Sequence, residues 1–395
     1  MCVLNEDYSR REFLKLMALL GGGALLPKTA WSASAAEQKT VRIGYLPITD
    51  ATPLLVAYQN KIFQRQGLRV DRPILFRSWA QLIEAFIAGE LNVIHLLSPM
   101  AVWARFNSAV AAKVVAWNHV AGSALTVAPQ IEQLRDLGGK RVAIPFWYSI
   151  HNVVLQEMLH HAGLHIVTQV QAPLAKHEVG LVVLPPSDMP PALLSGQIAG
   201  YLVAEPFNAI AEHLKIGKIL RFTGDVWKQH ACCVVYMHEQ DLQQHPQWSQ
   251  QVVSSIVEAQ LWCRNHRAET AQLLARQHKP RLTPHILPVL QQVLDPSAQQ
   301  QRDYQQHGAI QHATWHSQRI DFQPYPYQSY TIELIKRMRY TQVEGNKAFL
   351  KRLDPRWAAQ QLVDERFVKH AILQLGGMQA FGLDESFTRQ EVFAL

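Results

Sequence analysis

Beyond the first few dozen residues, short apolar β-rich runs alternate with segments of helical spacing. Residues 41–46 read as a strand, and residues 53–60 as a helix that opens on Pro53, whose missing N–H is no loss in a first turn. A short strand near 69–75, a helix over 79–88 and an apolar strand at 93–97 follow, the last running into Ser98-Pro99. The theme restarts after Gly138-Gly139 with strand 141–144, helix 152–162, strand 180–184, helix 190–195 and strand 201–203, which ends in Ala204-Glu205-Pro206. Such alternation predicts parallel sheets with crossover helices, and two blocks of similar size predict two lobes. After Val234 the segments 248–266, 269–277 and 284–294 are amphipathic without a strand signal and are expected to pack back onto the first lobe. The tail from 325 to 377 is again helical, and neither a solenoid-length repeat nor a low-complexity tract interrupts the chain.

Length and composition agree with two lobes. The chain has 395 residues, 48% hydrophobic and 17% charged, with 20 Gly and 21 Pro, which excludes a disordered, collagen-like or coiled-coil protein. The formal charge of +7 comes from 38 Lys and Arg set against 31 Asp and Glu. These are interspersed, without the basic blocks of nucleic-acid arms, and the mild excess favours an anionic ligand.

The N-terminus points to export. Ser9-Arg10-Arg11-Glu12-Phe13-Leu14-Lys15 precedes an apolar stretch at 16–26, too short to span a bilayer, and then Ala33-Ser34-Ala35 before Ala36. The charged, apolar and cleavage regions stand in signal-peptide order, and the paired arginines resemble the bacterial twin-arginine signal. Residues 1–35 are therefore expected to be an export signal cleaved near Ala35/Ala36, with the mature protein in the periplasm. Of the 4 cysteines, Cys2 leaves with the signal, and Cys232, Cys233 and Cys263 remain. An odd count leaves at least one thiol unpaired; Cys232 and Cys233 are badly placed to bridge each other, and a bridge to Cys263 stays open. No CxxC pair or His-Cys spacing indicates zinc, so no metal site is expected, and His160, His161 and His165 read as exposed residues of a helix.

In open α/β sheets ligands bind beyond the carboxyl ends of the strands. The candidate site is therefore the set of strand-end loops at 47–52, 77–79, 98–100, 145–152 and 205–207.

At these residues the chain resembles the solute-binding components of bacterial ABC importers, in the nitrate/sulfonate/taurine/bicarbonate group of the SsuA/THI5/NMT1-like type. Ile43-Gly44-Tyr45-Leu46-Pro47, Ala51-Thr52-Pro53-Leu54, Gly67-Leu68, Ser78-Trp79, Leu97-Ser98-Pro99-Met100, the loop 145–151, Glu205-Pro206-Phe207 and Trp227-Lys228-Gln229-His230 resemble stations of that family in the same order. The resemblance implies the two-lobed periplasmic binding protein fold of type II, α/β in class, with a helical C-terminal extension. Lobe 1 would comprise 39–123 and 235–395 and lobe 2 would comprise 124–234, with the chain crossing near 121–126 and returning near 231–236.

It also implies a small anionic solute of the nitrate, nitrite or bicarbonate kind, closed upon in the cleft and delivered to an ABC permease. In the nitrate/bicarbonate subfamily Trp79, His151 and Lys228 occupy the positions of anion contacts, and an indole N–H, an imidazole and an ammonium suit a planar oxyanion. Thr49, Asp50, Ser98, Asn152 and Glu205 complete the expected ligand contacts, with Glu205 alternatively paired to an arginine such as Arg77. The loop carries Phe146, Trp147 and Tyr148 where the nitrate type is richer in glycine, so an organic solute stays open: an alkanesulfonate, taurine or a thiamine-precursor pyrimidine. An enzyme reading finds no GxSxG, Walker loop or HExxH. Fungal pyrimidine-precursor synthases share the fold but use a longer cysteine-rich iron motif than Cys232-Cys233. The expectation is a monomeric binding protein without catalytic residues, cofactor or nucleic-acid partner.

Overall fold

The opening apolar run forms β1 (Ile43–Tyr45), buried along its whole length, and the first block continues with β2 (Ile74–Leu75), β3 (Val93–Leu97) and β4 (Ala112–Trp117). A short strand β5 (Val120–Ala121) lies on the way to the second block, which holds β6 (Ser123–Val127), β7 (Lys140–Ile144), β8 (His165–Val167), β9 (Glu178–Val183), β10 (Gly200–Ala204) and β11 (Lys218–Phe222). The chain then returns through β12 (Cys233–His238) and later adds β13 (Ile320–Asp321). This computed structural model describes residues 39–169, 173–315 and 319–395, so the export signal expected at 1–35 lies outside the described residues.

The strands form a five-stranded sheet in the order β2-β1-β3-β12-β4, a six-stranded sheet in the order β11-β6-β10-β7-β9-β8, and the pair β13-β5. The sheets are mixed, which corrects the expectation of parallel sheets. β12 runs antiparallel to β3 and β4, and β6 runs antiparallel to β10 and β11. Each of these is the first strand after a passage from one sheet to the other, so it enters from the end opposite to its βα-connected neighbours. The remaining pairs of each sheet are parallel, as the alternation implies.

The expected helices are present with modest shifts at their ends. Helix Thr52–Gln59 carries Pro53 in its first turn, and Trp79–Ile87 and Ile150–His161 begin at serine caps. Short elements such as β4, β8, β11 and helix Phe207–His213 have too few residues to announce a period and are not legible in the pattern. His160 and His161 close a helix and are exposed as expected, whereas His165 opens β8.

The 20-residue helix Pro246–Asn265 packs on Thr52–Gln59 and on Arg366–Gln374, which ties the C-terminal helices to the first sheet. Gln328–Tyr340 packs on Pro355–Leu362 and on Ser98–Phe106. No helix among the described residues is long and apolar enough to cross a membrane.

The two passages between the sheets are bonded to each other. Val120 bridges Ala231 in antiparallel fashion, the Ala121 N–H donates to the His230 carbonyl at 2.9 Å, and the Asn118 N–H donates to that of Cys233 at 3.0 Å. Here the backbone turns through Ala121 at φ 56° and Gly122 at φ +77°.

Candidate functional site in the interlobe cleft

Serine caps place two of the expected contacts. Ser78 Oγ accepts the Gln81 N–H at 3.3 Å, which makes Trp79 the first residue of its helix; Ser149 Oγ accepts the Asn152 N–H at 3.1 Å, which sets His151 in a first turn. A capping hydroxyl leaves the other N-terminal N–H groups and the positive end of the macrodipole facing outward from each helix. Both side chains are buried, Trp79 packs 5.3 Å from the His95 ring, and neither Trp79 Nε1 nor His151 Nδ1 has a hydrogen-bond partner.

Asp50 belongs to the turn Thr49–Ala51, held from behind by the Asn118 side-chain amide, which donates to its carbonyl. Thr49 links the lobes: its N–H and its Oγ1 both donate to the Glu205 carbonyl, at 2.8 and 3.1 Å. Asp50 Oδ2 lies 2.9 Å from His119 Nε2, 3.3 Å from Cys232 Sγ and 3.2 Å from Cys233 Sγ. His151 Nε2 stands 3.0 Å from Ser123 Oγ and 3.6 Å from Cys232 Sγ. The cluster thus joins the end of β1, both passages between the sheets and a first-turn residue of the second lobe.

Its electrostatics follow from burial and mutual contact. Burial, reinforced by Cys232 and opposed by His119, raises the Asp50 carboxyl to about 6. For His119 burial works against the charged ring, but Asp50 and Cys232 outweigh it and raise its pKa to about 10. Burial also opposes ionisation of Cys232, yet the hydrogen bond from Cys233 and the neighbouring His151 and His119 hold this thiol well below its ordinary value. His95 and His230 are driven down to about 3 and about 4, first by burial, and stay neutral.

Several expected contacts are used by the protein itself. Glu205 pairs with Arg319 Nε at 2.6 Å, so its partner is an arginine from the C-terminal region rather than Arg77. Ser98 Oγ meets the Tyr330 hydroxyl at 2.7 Å. The Asn152 amide donates to the carbonyls of Trp147 and Gln342 at 2.9 and 3.0 Å. Tyr148 stacks on Trp103 at 5.8 Å and its hydroxyl donates to the Asn346 carbonyl at 3.3 Å, while Phe146 and Trp147 are half-buried against the core. Lys228 is half-buried where its N–H donates to the Val392 carbonyl, and no hydrogen bond or ion pair among the described residues carries its ammonium into the cluster. Cys232, Cys233 and Cys263 are free thiols, and Cys263 sits apart on the helix Pro246–Asn265.

His119, His95 and Ser123 escape a sequence reading because each follows or interrupts an apolar run with no motif around it. A cavity of about 480 Å³ opens between Pro47 and Arg77 on one side and Ser187 and Phe207 on the other, and neither Trp79 nor His151 nor any side chain of the buried cluster lines it. Ring nitrogens without partners on His95, His119, His151 and His230, together with Trp79 Nε1, Asp50 Oδ1 and Thr52 Oγ1, make the buried cluster and its neighbours rich in unmet hydrogen bonds. Buried polar groups left so cost about 1–3 kcal/mol each, and a bound solute is one way to complete them.

Known proteins share this architecture. The periplasmic nitrate-binding protein NrtA of Synechocystis PCC 6803 superposes with a TM-score of 0.70 at 17% identity, over 90% of this chain and 94% of that one. The periplasmic aliphatic sulphonate binding protein SsuA of Escherichia coli does so with 0.52 at 19%, over 68% and 85%. These likenesses establish the two-lobed periplasmic binding protein fold. In sequence, the nitrate/nitrite binding protein NrtA of Nostoc sp. is 26% identical over 256 residues, 60% of this chain and 56% of the relative, so the match spans little more than half of that protein. The NMT1-like family matches residues 34–277, well over half of the sequence and all of both sheets' long strands, and the chain belongs to that family.

Proposed function

We propose that the protein is the periplasmic solute-binding component of an ABC importer and that it captures a small anionic solute between its lobes. The observation that carries this reading is the pair of serine-capped helix starts, one from each lobe, that present Trp79 and His151 with unpartnered ring nitrogens. Peptide dipoles and N–H donors at such ends favour negative charge. Lobe 1 is taken as 39–123 with 235–395 and lobe 2 as 124–234, and a solute bonded to both stabilises the closed form that a permease engages. Nitrate, nitrite and bicarbonate, the first two bound by relatives according to their names, fit the solute class. The packing of Tyr148 on Trp103 supports a small ion over an organic solute, because that ring is already covered. The relatives are transport proteins by name, and the reading assigns no catalysis, with export by the twin-arginine route and action as a monomer.

The test is thermal unfolding against nitrate, nitrite, bicarbonate, taurine, alkanesulfonates and an aminopyrimidine, since a ligand bound only by the folded state raises the midpoint. A rise with the inorganic anions alone supports the reading. A rise with organic solutes alone transfers the pocket to Phe146 and Trp147, and no rise with any of them removes the anion assignment.

A further inference from the structure

Beside the two bonded passages lies a buried set of groups that the proposed anion contacts of Trp79 and His151 do not use, Asp50 among them although the sequence implies a solute contact for it. Asp50, His119, Cys232 and Cys233 each offer one ligand atom, and these atoms all lie within 4.8 Å of one another. All four side chains are fully buried. We propose that they form a binding site for a thiophilic divalent metal ion of the zinc class, seated on the two bonded passages between the lobes.

Distances support this. Bonds of about 2.3 Å to sulfur and about 2.0–2.1 Å to nitrogen and oxygen set the atoms of a tetrahedral zinc site roughly 3.3–3.8 Å apart. Asp50 Oδ2 stands 2.9, 3.3 and 3.2 Å from the imidazole nitrogen and the two sulfurs, so these three separations need to open by only a few tenths of an ångström, and the remaining ones lie within 4.8 Å. Two sulfurs, an imidazole and one carboxylate are the donors of zinc-type ions and unlike the all-oxygen sets of calcium and magnesium.

The hydrogen bonds support it too. His119 Nε2 and both thiol sulfurs converge on Asp50 Oδ2, and the Cys233 backbone N–H lies 3.3 Å from the same Nε2, so four ligand atoms face one another in the interior. A cation placed among them would take the lone pairs of Nε2, Oδ2 and both sulfurs, with the imidazole and thiol protons released on binding. Outer partners are in place around it. Ser123 Oγ is 3.8 Å from Cys232 Sγ and the Asn118 amide braces the Asp50 loop. Because the ligands come from one lobe and from both passages, the ion would brace the point at which the lobes pivot.

The experiment uses the full chain, kept reduced with a phosphine, stripped by a chelator and titrated with Co²⁺. One equivalent should give a sulfur-to-cobalt charge-transfer band in the near ultraviolet and intense visible bands of tetrahedral cobalt, displaced mole for mole by Zn²⁺. Cys263→Ser should leave the spectrum unchanged, and the double variant Cys232→Ser/Cys233→Ser should lose the charge-transfer band. Asp50→Asn, which keeps both thiols, should weaken Zn²⁺ in competition with a chromophoric chelator, and it decides the matter if the double variant does not fold. A folded wild-type chain with no thiolate band, a band that survives in the double variant, or an unchanged Zn²⁺ affinity in Asp50→Asn overturns the site. No solute enters the assay, so its failure is distinguishable from failure of the anion reading.

Discussion

Arg319 Nε lies 2.6 Å from Glu205 Oε1, and both side chains are shut away from solvent. The arginine also donates to the Tyr304 hydroxyl at 2.7 Å and to Glu212 Oε2 at 3.1 Å, so one guanidinium ties the C-terminal region to the end of β10 and to the helix Phe207–His213. Burial opposes its charge, and Glu205, with Tyr304 and Glu212, outweighs that penalty and holds its pKa above the ordinary arginine value. The Glu205 backbone carbonyl is also the group that accepts from Thr49, so one residue joins that contact to the ion pair.

Arg319→Met strands Glu205 in the interior and is expected to destabilise the fold by about 3–5 kcal/mol, the usual result of breaking a buried pair from one side. Glu205→Gln should cost less, because Arg319 keeps Glu212. Urea unfolding of both variants checks the order, and an equal or reversed ranking would show that Glu212 does not hold Arg319 once Glu205 is neutral.

Trp79→Phe keeps an aromatic ring beside His95 and deletes only the indole N–H. With the anion identified by thermal shift, affinity should fall at least tenfold, about 1.4 kcal/mol, while the melting point without solute changes little. Titration calorimetry on wild type and variant reads this directly; unchanged affinity would assign Trp79 to the core alone.

His285 bears on acid stability. Its ring is buried, with Nε2 donating to the Pro47 carbonyl at 2.6 Å and its plane edge-on to Phe207 at 5.6 Å. Burial, opposed by the Pro47 bond, lowers its pKa from 6.5 to about 4. The unfolded chain therefore takes up a proton near 6.5 that the folded one refuses until about 4, so this contribution is whole above 6.5 and is lost as the pH falls through that window. His285→Gln, which keeps a donor for Pro47, should flatten the fall in unfolding free energy between about pH 7 and about pH 4.5. Parallel curves for the two proteins would refute the assignment.

Gly122 occupies the passage between the sheets at φ +77°, and an added Cβ would stand 2.9 Å from Ile320 Cδ1 and 3.1 Å from His119 Cε1. Gly122→Ala combines a left-handed backbone with that contact and is expected to cost about 1–3 kcal/mol. Because the strain falls beside His119, it should also weaken the Co²⁺ site more than Gly196→Ala, whose glycine has a similar φ of +74° but open space around it. Chemical denaturation and the cobalt titration on the two variants give the comparison.

Much of this arrangement is legible before folding is considered. The helix that opens at Trp79 and the strand-end loop that carries His151 can be read from short segments, whereas the sequence places the second helix from 152 and only the structure shows the Ser149 cap that draws His151 into its first turn. The helices Pro246–Asn265 and Gln328–Tyr340 can be read because they are long enough for their spacing to show. β12 escapes notice because a strand buried along nearly its whole length does not alternate.

Local sequence thus determined the two βα blocks, the positions of the strand-end loops and the placement of Trp79 at a helix start, since each depends on interactions within a few residues. It also carried the motif order that marks the family. Tertiary structure alone decided that His119 would meet Cys233 across 114 residues, that Asp50 would face both cysteines, and that Glu205 would find Arg319 rather than Arg77. Those partners meet because two passages between the lobes lie side by side and a C-terminal segment returns over the second lobe. Such juxtaposition is set by the path of the whole chain, and no spacing within any one segment encodes it.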